Sequence, residues 1–264
     1  MKIENRQSAI GNRKSQIPEI IAHRGASHDA PENTLAAIQL AWRQNADAVE
    51  VDVQLSKDRH LVVIHDATTS KTAGVRRKVA AQMLAELQSL DVGRWKHRKW
   101  KGEKIPTLAA ALATIPEGKR LLVEVKCGLE SIPEFIETFK RSGKQPNQGA
   151  PIGFSLETMT QLKKALPELQ VCWIATFKRA WNGVWSPRAE KLVQQTKQAG
   201  LDGLDLSGRG PVDAAFARKV HDAGLKLYIW TVDSPRRAKK FIDAGVDGIT
   251  TNRPGWLRAQ LDAV

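Results

Sequence analysis

The chain has 264 residues, 42% of them apolar, and 41 Lys and Arg against 28 Asp and Glu, a net charge of +13. That length is near the roughly 250 residues of one (β/α)₈ barrel, and no apolar run approaches the about 18 residues that would mark a membrane span. Two cysteines, Cys127 and Cys172, are too few for a metal cluster or a disulfide scaffold. The excess positive charge favours anionic partners such as phosphodiesters, nucleic acid or acidic lipid head groups without choosing among them.

In chain order, residues 1–18 are polar and lack the apolar stretch of a secretory signal, so a flexible N-terminal tail on a cytoplasmic protein is expected. From residue 19 on, short β-branched runs alternate with segments of helical period, the pattern of βα units around a parallel sheet. Strands are expected at Ile20–Arg24, Ala48–Val53, Leu121–Lys126, Pro151–Ser155, Val171–Ala175, Gly203–Leu206, Lys226–Thr231 and Gly248–Thr251. Helices are expected at Thr34–Gln44, Ser131–Lys140, Leu156–Leu166, Ala189–Ala199, Val212–Ala223 and Ser234–Ala244. A helix-stop, strand-start phrase recurs at Ala199-Gly200-Leu201-Asp202-Gly203, Ala223-Gly224-Leu225 and Ala244-Gly245-Val246-Asp247-Gly248, which favours a closed barrel over two unlike domains.

Leu61–His65 reads as an accessory strand folding back on Ala48–Leu55 through the polar turn Ser56-Lys57-Asp58-Arg59. The stretch of about 67–106 is longer than an ordinary βα loop and reads as an insertion carrying a small helix near Ala80–Leu90. Its basic run Arg94-Trp-Lys-His-Arg-Lys-Trp-Lys101 reads first as a solvated rim loop and second as a contact for an acidic membrane surface or single-stranded nucleic acid.

Polar residues collect at the C-terminal ends of the first three parallel strands, where barrel active sites are built. Glu50 and Asp52 are two residues apart on one strand, as are Glu124 and Lys126 on another, so each pair shares a face and the flanking valines point the other way. Three carboxylates at one mouth repel one another unless a cation sits among them, and an all-oxygen set suits Mg²⁺, Ca²⁺ or Mn²⁺. The alternative is that the acids are surface charges, or are paired with Arg24 and Lys126 as buried salt bridges. His23 and His65 each follow an apolar strand and could divide general base and general acid work near neutral pH. Arg24 and Lys126 offer fixed positive charge for phosphate oxygens. Asn33 reads as an N-cap for the first helix, and Glu32 as a group orienting His23 or Arg24. His28, His60, His97 and His221 read as surface or loop residues.

His23-Arg24-Gly25, Pro31-Glu32-Asn33-Thr34, Glu50-Val51-Asp52-Val53, His65-Asp66, Glu124-Val125-Lys126, Ile105-Pro106-Thr107-Leu108, Trp230-Thr231-Val232-Asp233 and Gly245-Val246-Asp247-Gly248 together resemble the motif series of the glycerophosphodiester phosphodiesterase family. The resemblance implies a TIM barrel with an insertion after the second strand region, and hydrolysis of a small-molecule glycerophosphodiester to glycerol 3-phosphate and an alcohol. It implies that Glu50, Asp52 and Glu124 hold one divalent cation, that His23 and His65 are the acid and base, that Arg24 and Lys126 contact phosphate, and that Trp230 walls the glycerol side. The chain departs from the family at Ala67–Gly74, where many members have an Arg-Thr-Thr phrase, and at Asn252, where Asp often stands. A lysophospholipase D-like or phosphatidylinositol-cleaving enzyme at a membrane surface is the runner-up. A non-catalytic anion- or nucleic-acid-binding barrel is the non-enzyme alternative, disfavoured because the proposed catalytic positions are all present and no nucleic-acid module is recognised.

Overall fold

The computed structural model describes residues 18–263, so the expected N-terminal tail falls, except for Pro18, outside the described residues. In chain order the elements are β1 (Glu19–His23), α1 (Leu35–Arg43), β2 (Ala48–Leu55), β3 (Leu61–Val63), α2 (Ser70–Ala73), α3 (Leu84–Ser89), α4 (Leu108–Ala113) and β4 (Arg120–Val125). There follow α5 (Ile132–Arg141), β5 (Gly149–Gly153), α6 (Leu156–Ala165), β6 (Cys172–Ala175), β7 (Lys178–Arg179), β8 (Trp185–Ser186) and α7 (Ala189–Gln198). The chain ends with β9 (Gly203–Ser207), α8 (Ala214–Asp222), β10 (Lys226–Trp230), α9 (Pro235–Ala244), β11 (Gly248–Thr251) and α10 (Pro254–Asp262). No helix among the described residues is long and apolar enough to cross a membrane.

Eight strands pair in parallel in the order β1-β11-β10-β9-β6-β5-β4-β2, and β2 returns to β1, closing a TIM barrel. The antiparallel β3 adds to β2 with Val63 opposite Val53, outside the eight, as the polar turn at residues 56–59 leads one to expect. Period two sorts the side chains. Val49, Val51 and Val53 face outward into a cluster with Ile38, Ala41, Leu108 and Leu112 of the helix layer. Ile21, Ala48, Leu122, Ala150, Cys172, Ile174 and Tyr228 face inward and fill the barrel's centre. Burying one such leucine or isoleucine contributes about 1.5–3 kcal/mol, so this double-sided packing fixes the strand register that aims the next inward residues at the mouth.

The helices start where their caps dictate. The Thr34 side chain accepts from the Ala37 N–H, Ser155 from Thr158 and Asp213 from Phe216, each satisfying an amide that the first turn leaves open. Asn33 is therefore not the cap of α1, and the reason emerges at the site below. The segment between β3 and α4 packs on a small core of its own, Val62, Ile64, Val79, Leu87, Val92 and Ile105. Its longer helix covers Leu84–Ser89, the C-terminal part of the expected stretch. Three helices and one hairpin had not been singled out from the sequence: α2, α4, α10, and β7 with β8 between β6 and α7.

Candidate active site and metal centre

Beyond β1 the chain turns sharply because Arg24 (φ 57°) and Gly25 (φ 78°) are both left-handed. A Cβ at Gly25 would lie 2.5 Å from the Ala37 carbonyl carbon, so only glycine fits there. The turn points the Arg24 N–H at Glu50 Oε2 (2.9 Å) and carries the guanidinium to Asp52 (Nε to Oδ2, 3.2 Å) and Glu32 (Nη1 to Oε1, 3.0 Å). Lys71 from α2 holds Glu32 from the other side, 2.8 Å from both oxygens.

On β2 and β4 the inward residues are Glu50, Asp52 and Glu124, with Asp52 directly beside Glu124 in the ladder. All three are buried, and one oxygen of each lies within 4.8 Å of the others. Lys126 Nζ sits 2.5 Å from Glu124 Oε1 and 3.2 Å from Asp52 Oδ1. The ion pairs weighed as an alternative to a metal site therefore exist, but they do not balance the charge. Two cations face three carboxylates, Arg24 is shared with Glu32, and Glu50 Oε1 is buried without a hydrogen-bond partner among the described residues.

The titration directions follow from that imbalance. Burial, then repulsion from Asp52 and Glu124, pushes Glu50 well above the usual carboxylate range. Burial and Asp52 lift Glu124 to about 7. Burial would raise Asp52 as well, but Arg24 and Lys126 outweigh it and hold this group below the usual value. An orphaned carboxylate oxygen in an all-oxygen cluster with surplus negative charge fits a hard divalent cation, so these three acids could hold a metal ion.

Asn33, itself left-handed at φ 59°, clamps Asp52: its Nδ2 donates to Asp52 Oδ2 (2.8 Å) and its Oδ1 accepts from the Asp52 N–H (3.1 Å). That use of the side chain is why capping passes to Thr34.

The two histidines meet different partners. His23 Nδ1 lies 2.7 Å from Asn252 Oδ1, and Asn252 Nδ2 donates to Asp233 Oδ2 at 2.7 Å. The carboxylate can only accept, which fixes the amide with its oxygen toward His23, so His23 Nδ1 carries the hydrogen and Nε2 keeps its lone pair. Burial, reinforced by Arg24, lowers His23 to about 4, and the ring is neutral at pH 7. His65 Nδ1 instead faces a carboxylate, Asp66 Oδ1, at 2.6 Å.

These groups line a cavity of about 110 Å³ at the C-terminal mouth, with His23, Arg24, Glu50, His65, Glu124 and Lys126 on one side. Phe154, Asp205, Trp230 and Thr250 stand among the residues on the other. Trp230 meets Phe154 edge to face at 6.0 Å, and Lys126 lies 5.8 Å from the Phe154 ring. His28, His60, His97 and His221 do not line this cavity; His221 is on α8, not in a loop, and pairs with Asp247 at 2.8 Å. Asp205, Thr250, Asn252 with Asp233, and Phe154 had no part in the sequence reading of the site. Asp205 had a legible signal, since it sits between Leu204 and Leu206 as Asp52 sits between Val51 and Val53.

With this geometry in hand, the sequence matches the Glycerophosphoryl diester phosphodiesterase family over residues 23–256. The chain belongs to that family. It is 32% identical over 244 residues to a glycerophosphodiester phosphodiesterase of Caldanaerobacter subterraneus, covering 90% of this chain and 95% of the relative. It is 41% identical over 240 residues to glycerophosphodiester phosphodiesterase 1 of Bos taurus, covering 81% and 71%. Among solved structures, a phosphodiesterase of Oleispira antarctica in complex with the product sn-glycerol-3-phosphate superposes with a TM-score of 0.83 at 29% identity, covering 93% and 97%. The chain is accordingly an enzyme of the glycerophosphodiester phosphodiesterase type.

Proposed function

We propose that the enzyme hydrolyses glycerophosphodiesters to glycerol 3-phosphate and an alcohol at the cavity between His23 and Trp230. The observation that carries this reading is the surplus of buried carboxylate beside two histidines with unlike partners. Family membership and the product complex of the Oleispira antarctica relative support it. Glu50, Asp52 and Glu124 would hold one divalent cation, Mg²⁺ or Ca²⁺ with Mn²⁺ a third candidate, and such an ion supplies Lewis-acid neutralisation of phosphoryl charge.

The chain's own groups do the rest. Arg24 and Lys126 bind the non-bridging phosphate oxygens, exchanging part of their present ion pairing for the substrate's charge. His23, neutral with a free Nε2, takes the proton of the nucleophile, which is water or the glycerol 2-hydroxyl; in the second case water then opens the cyclic phosphate to give glycerol 3-phosphate. His65, with the Asp66 carboxylate behind it, delivers a proton to the departing alkoxide. Trp230 walls the glycerol side, while Glu32 and Asn33 position Arg24 and Asp52. Purified protein with glycerophosphocholine and a series of divalent ions tests this: turnover that survives chelation, or that Glu50→Gln leaves unchanged, rejects it.

A second reading, action at an acidic membrane surface, rests on Trp95. This half-exposed side chain lies on the insertion, with Lys71 and Lys96 each 5.9 Å from its ring, and Lys96 Nζ holds the Ser27 carbonyl beside the mouth. Rates on lysolipid vesicles against soluble diesters, with and without Trp95→Ala, decide between the two. We keep the cytoplasm as the proposed location, supported by unpaired thiols at Cys127 and Cys172.

A further inference from the structure

The wall facing the acids is built by three adjacent strands, β9, β10 and β11, each contributing an inward residue to the cavity: Asp205, Trp230 and Thr250. Asp205 is 3% exposed and Thr250 2%. Asp205 Oδ1 and Thr250 Oγ1 are both buried without a hydrogen-bond partner among the described residues. Trp230 is held between them by its own Nε1–H, which donates to the Asp205 carbonyl at 3.3 Å and so turns the indole's remaining surface toward the cavity.

An unpartnered buried carboxyl or hydroxyl costs stability, and native proteins keep few of them. Two on one wall, flanking an aromatic ring and opening on the cavity that holds the acids, form a pattern suited to a small polyol. Carbon-bound hydrogens rest on the indole, and hydroxyls meet the two polar groups. We propose that Asp205 and Thr250 are specificity-determining residues that hydrogen-bond the two free hydroxyls of a glycerol moiety. This inference rests on the proposed glycerophosphodiester activity and adds a direction to it: glycerol lies against β9–β11 and the alcohol extends toward the open rim by Phe154.

The chemistry of both partners is right. Burial, and secondarily repulsion from Glu124, pushes the Asp205 carboxyl well above its ordinary range, toward the protonated form that can both donate and accept. The Thr250 hydroxyl has the same dual capacity. Two such groups match two alcohols, each of which seeks a donor and an acceptor. A quaternary ammonium or aryl group at that wall would leave both unpaired, which is how a buried polar site rejects the wrong group.

The test compares wild type with Asp205→Asn, Asp205→Leu and Thr250→Val, each loaded with the same divalent ion. One readout is the ratio of kcat/KM on glycerophosphocholine to that on bis(4-nitrophenyl) phosphate, which has no polyol. A second is the calorimetric Kd for sn-glycerol 3-phosphate relative to inorganic phosphate, and a third is the melting temperature. Asp205→Leu should lower the substrate ratio and the binding preference by at least about tenfold while melting no earlier than wild type. Asp205→Asn, which still donates and accepts, should keep most of both ratios, and Thr250→Val should lose several-fold. If wild type cleaves glycerophosphocholine but Asp205→Leu leaves the ratios within about twofold, the inference fails and the proposed activity stands. A wild type that cleaves only the aryl diester overturns that activity, and this inference with it. Equal loss on both substrates with a lowered melting temperature marks a structural carboxyl and also overturns the inference, as does an asparagine variant no better than leucine.

Discussion

The two ends of this barrel each hold a charged cluster, part-buried around Arg120 and buried around Glu50, and they differ in how completely the charges are satisfied. At the N-terminal end, Arg120 donates to Glu19 through Nε and Nη2, to Gln170 Oε1 at 3.1 Å and to the Tyr228 hydroxyl at 2.9 Å, and Gln170 Nε2 donates to that hydroxyl at 2.9 Å. Burial would lower the Arg120 pKa, but Glu19 keeps the guanidinium firmly charged, and a broad depression of about 630 Å³ beside it is lined by the pairs Arg120–Glu19 and Lys119–Asp47. At the C-terminal end, three acids outnumber their cations, Glu50 Oε1 is orphaned, and Glu124 is lifted to about 7. The smaller cavity is therefore the one we propose as functional. Satisfied networks hold a fold together, whereas unsatisfied ones in a cleft await a ligand.

Substitutions can break or sharpen this contrast. The largest effect is expected at the unsatisfied end: Glu50→Gln should lower kcat/KM on glycerophosphocholine about 10³-fold, because it removes a charged oxygen from the proposed ion site. Steady-state assays across a divalent ion series check this. At the satisfied end the loss should be in stability instead. Arg120→Ala leaves the Glu19 carboxylate without its partner and should cost about 3 kcal/mol in denaturant unfolding, while the folded fraction keeps its turnover within about twofold.

Of comparable size is a pH effect from His23. Its folded-state value of about 4 lies below the 6.5 of an unfolded histidine. Below pH 6.5 the unfolded chain takes up a proton that the folded chain refuses, so stability falls from pH 6.5 to about 4 and then levels, by about 3 kcal/mol in all. His23→Gln should lack this part of the slope in melts across that range. The smallest effect belongs outside both clusters. Trp95→Ala should change stability by no more than about 0.5 kcal/mol and leave turnover of soluble diesters as it is, whatever it does on vesicles.

Much of this contrast is written locally in the chain. His23, Glu50, Asp52, Glu124 and Lys126 stand at period-two positions among outward valines and isoleucines, so alternation alone aims them inward. Glycines ending helices, as Gly245 does in the left-handed conformation, mark where strands begin. What escaped depends on tertiary partners. Asn33 has the chemistry of a cap and is spent on Asp52, 19 residues away, so Thr34 takes its place. The tautomer of His23 is set through Asn252, 229 residues distant, which local patterning does not reveal. The β7–β8 hairpin has two residues in each strand, too short for alternation to register. Asp205 was readable by the same alternation that exposed Glu50, but it lacks a second charged residue on its strand to draw notice, and only closure of the barrel shows what it faces.

The central claim, that the surplus carboxylate at the mouth exists to hold one divalent cation, is tested most directly by calorimetric titration of Mg²⁺, Ca²⁺ and Mn²⁺ into metal-free wild type and Glu50→Gln. One ion per chain bound at the wild-type site, with affinity reduced at least about tenfold in the variant, is the expected result. No binding by wild type, or equal binding by both, would contradict it.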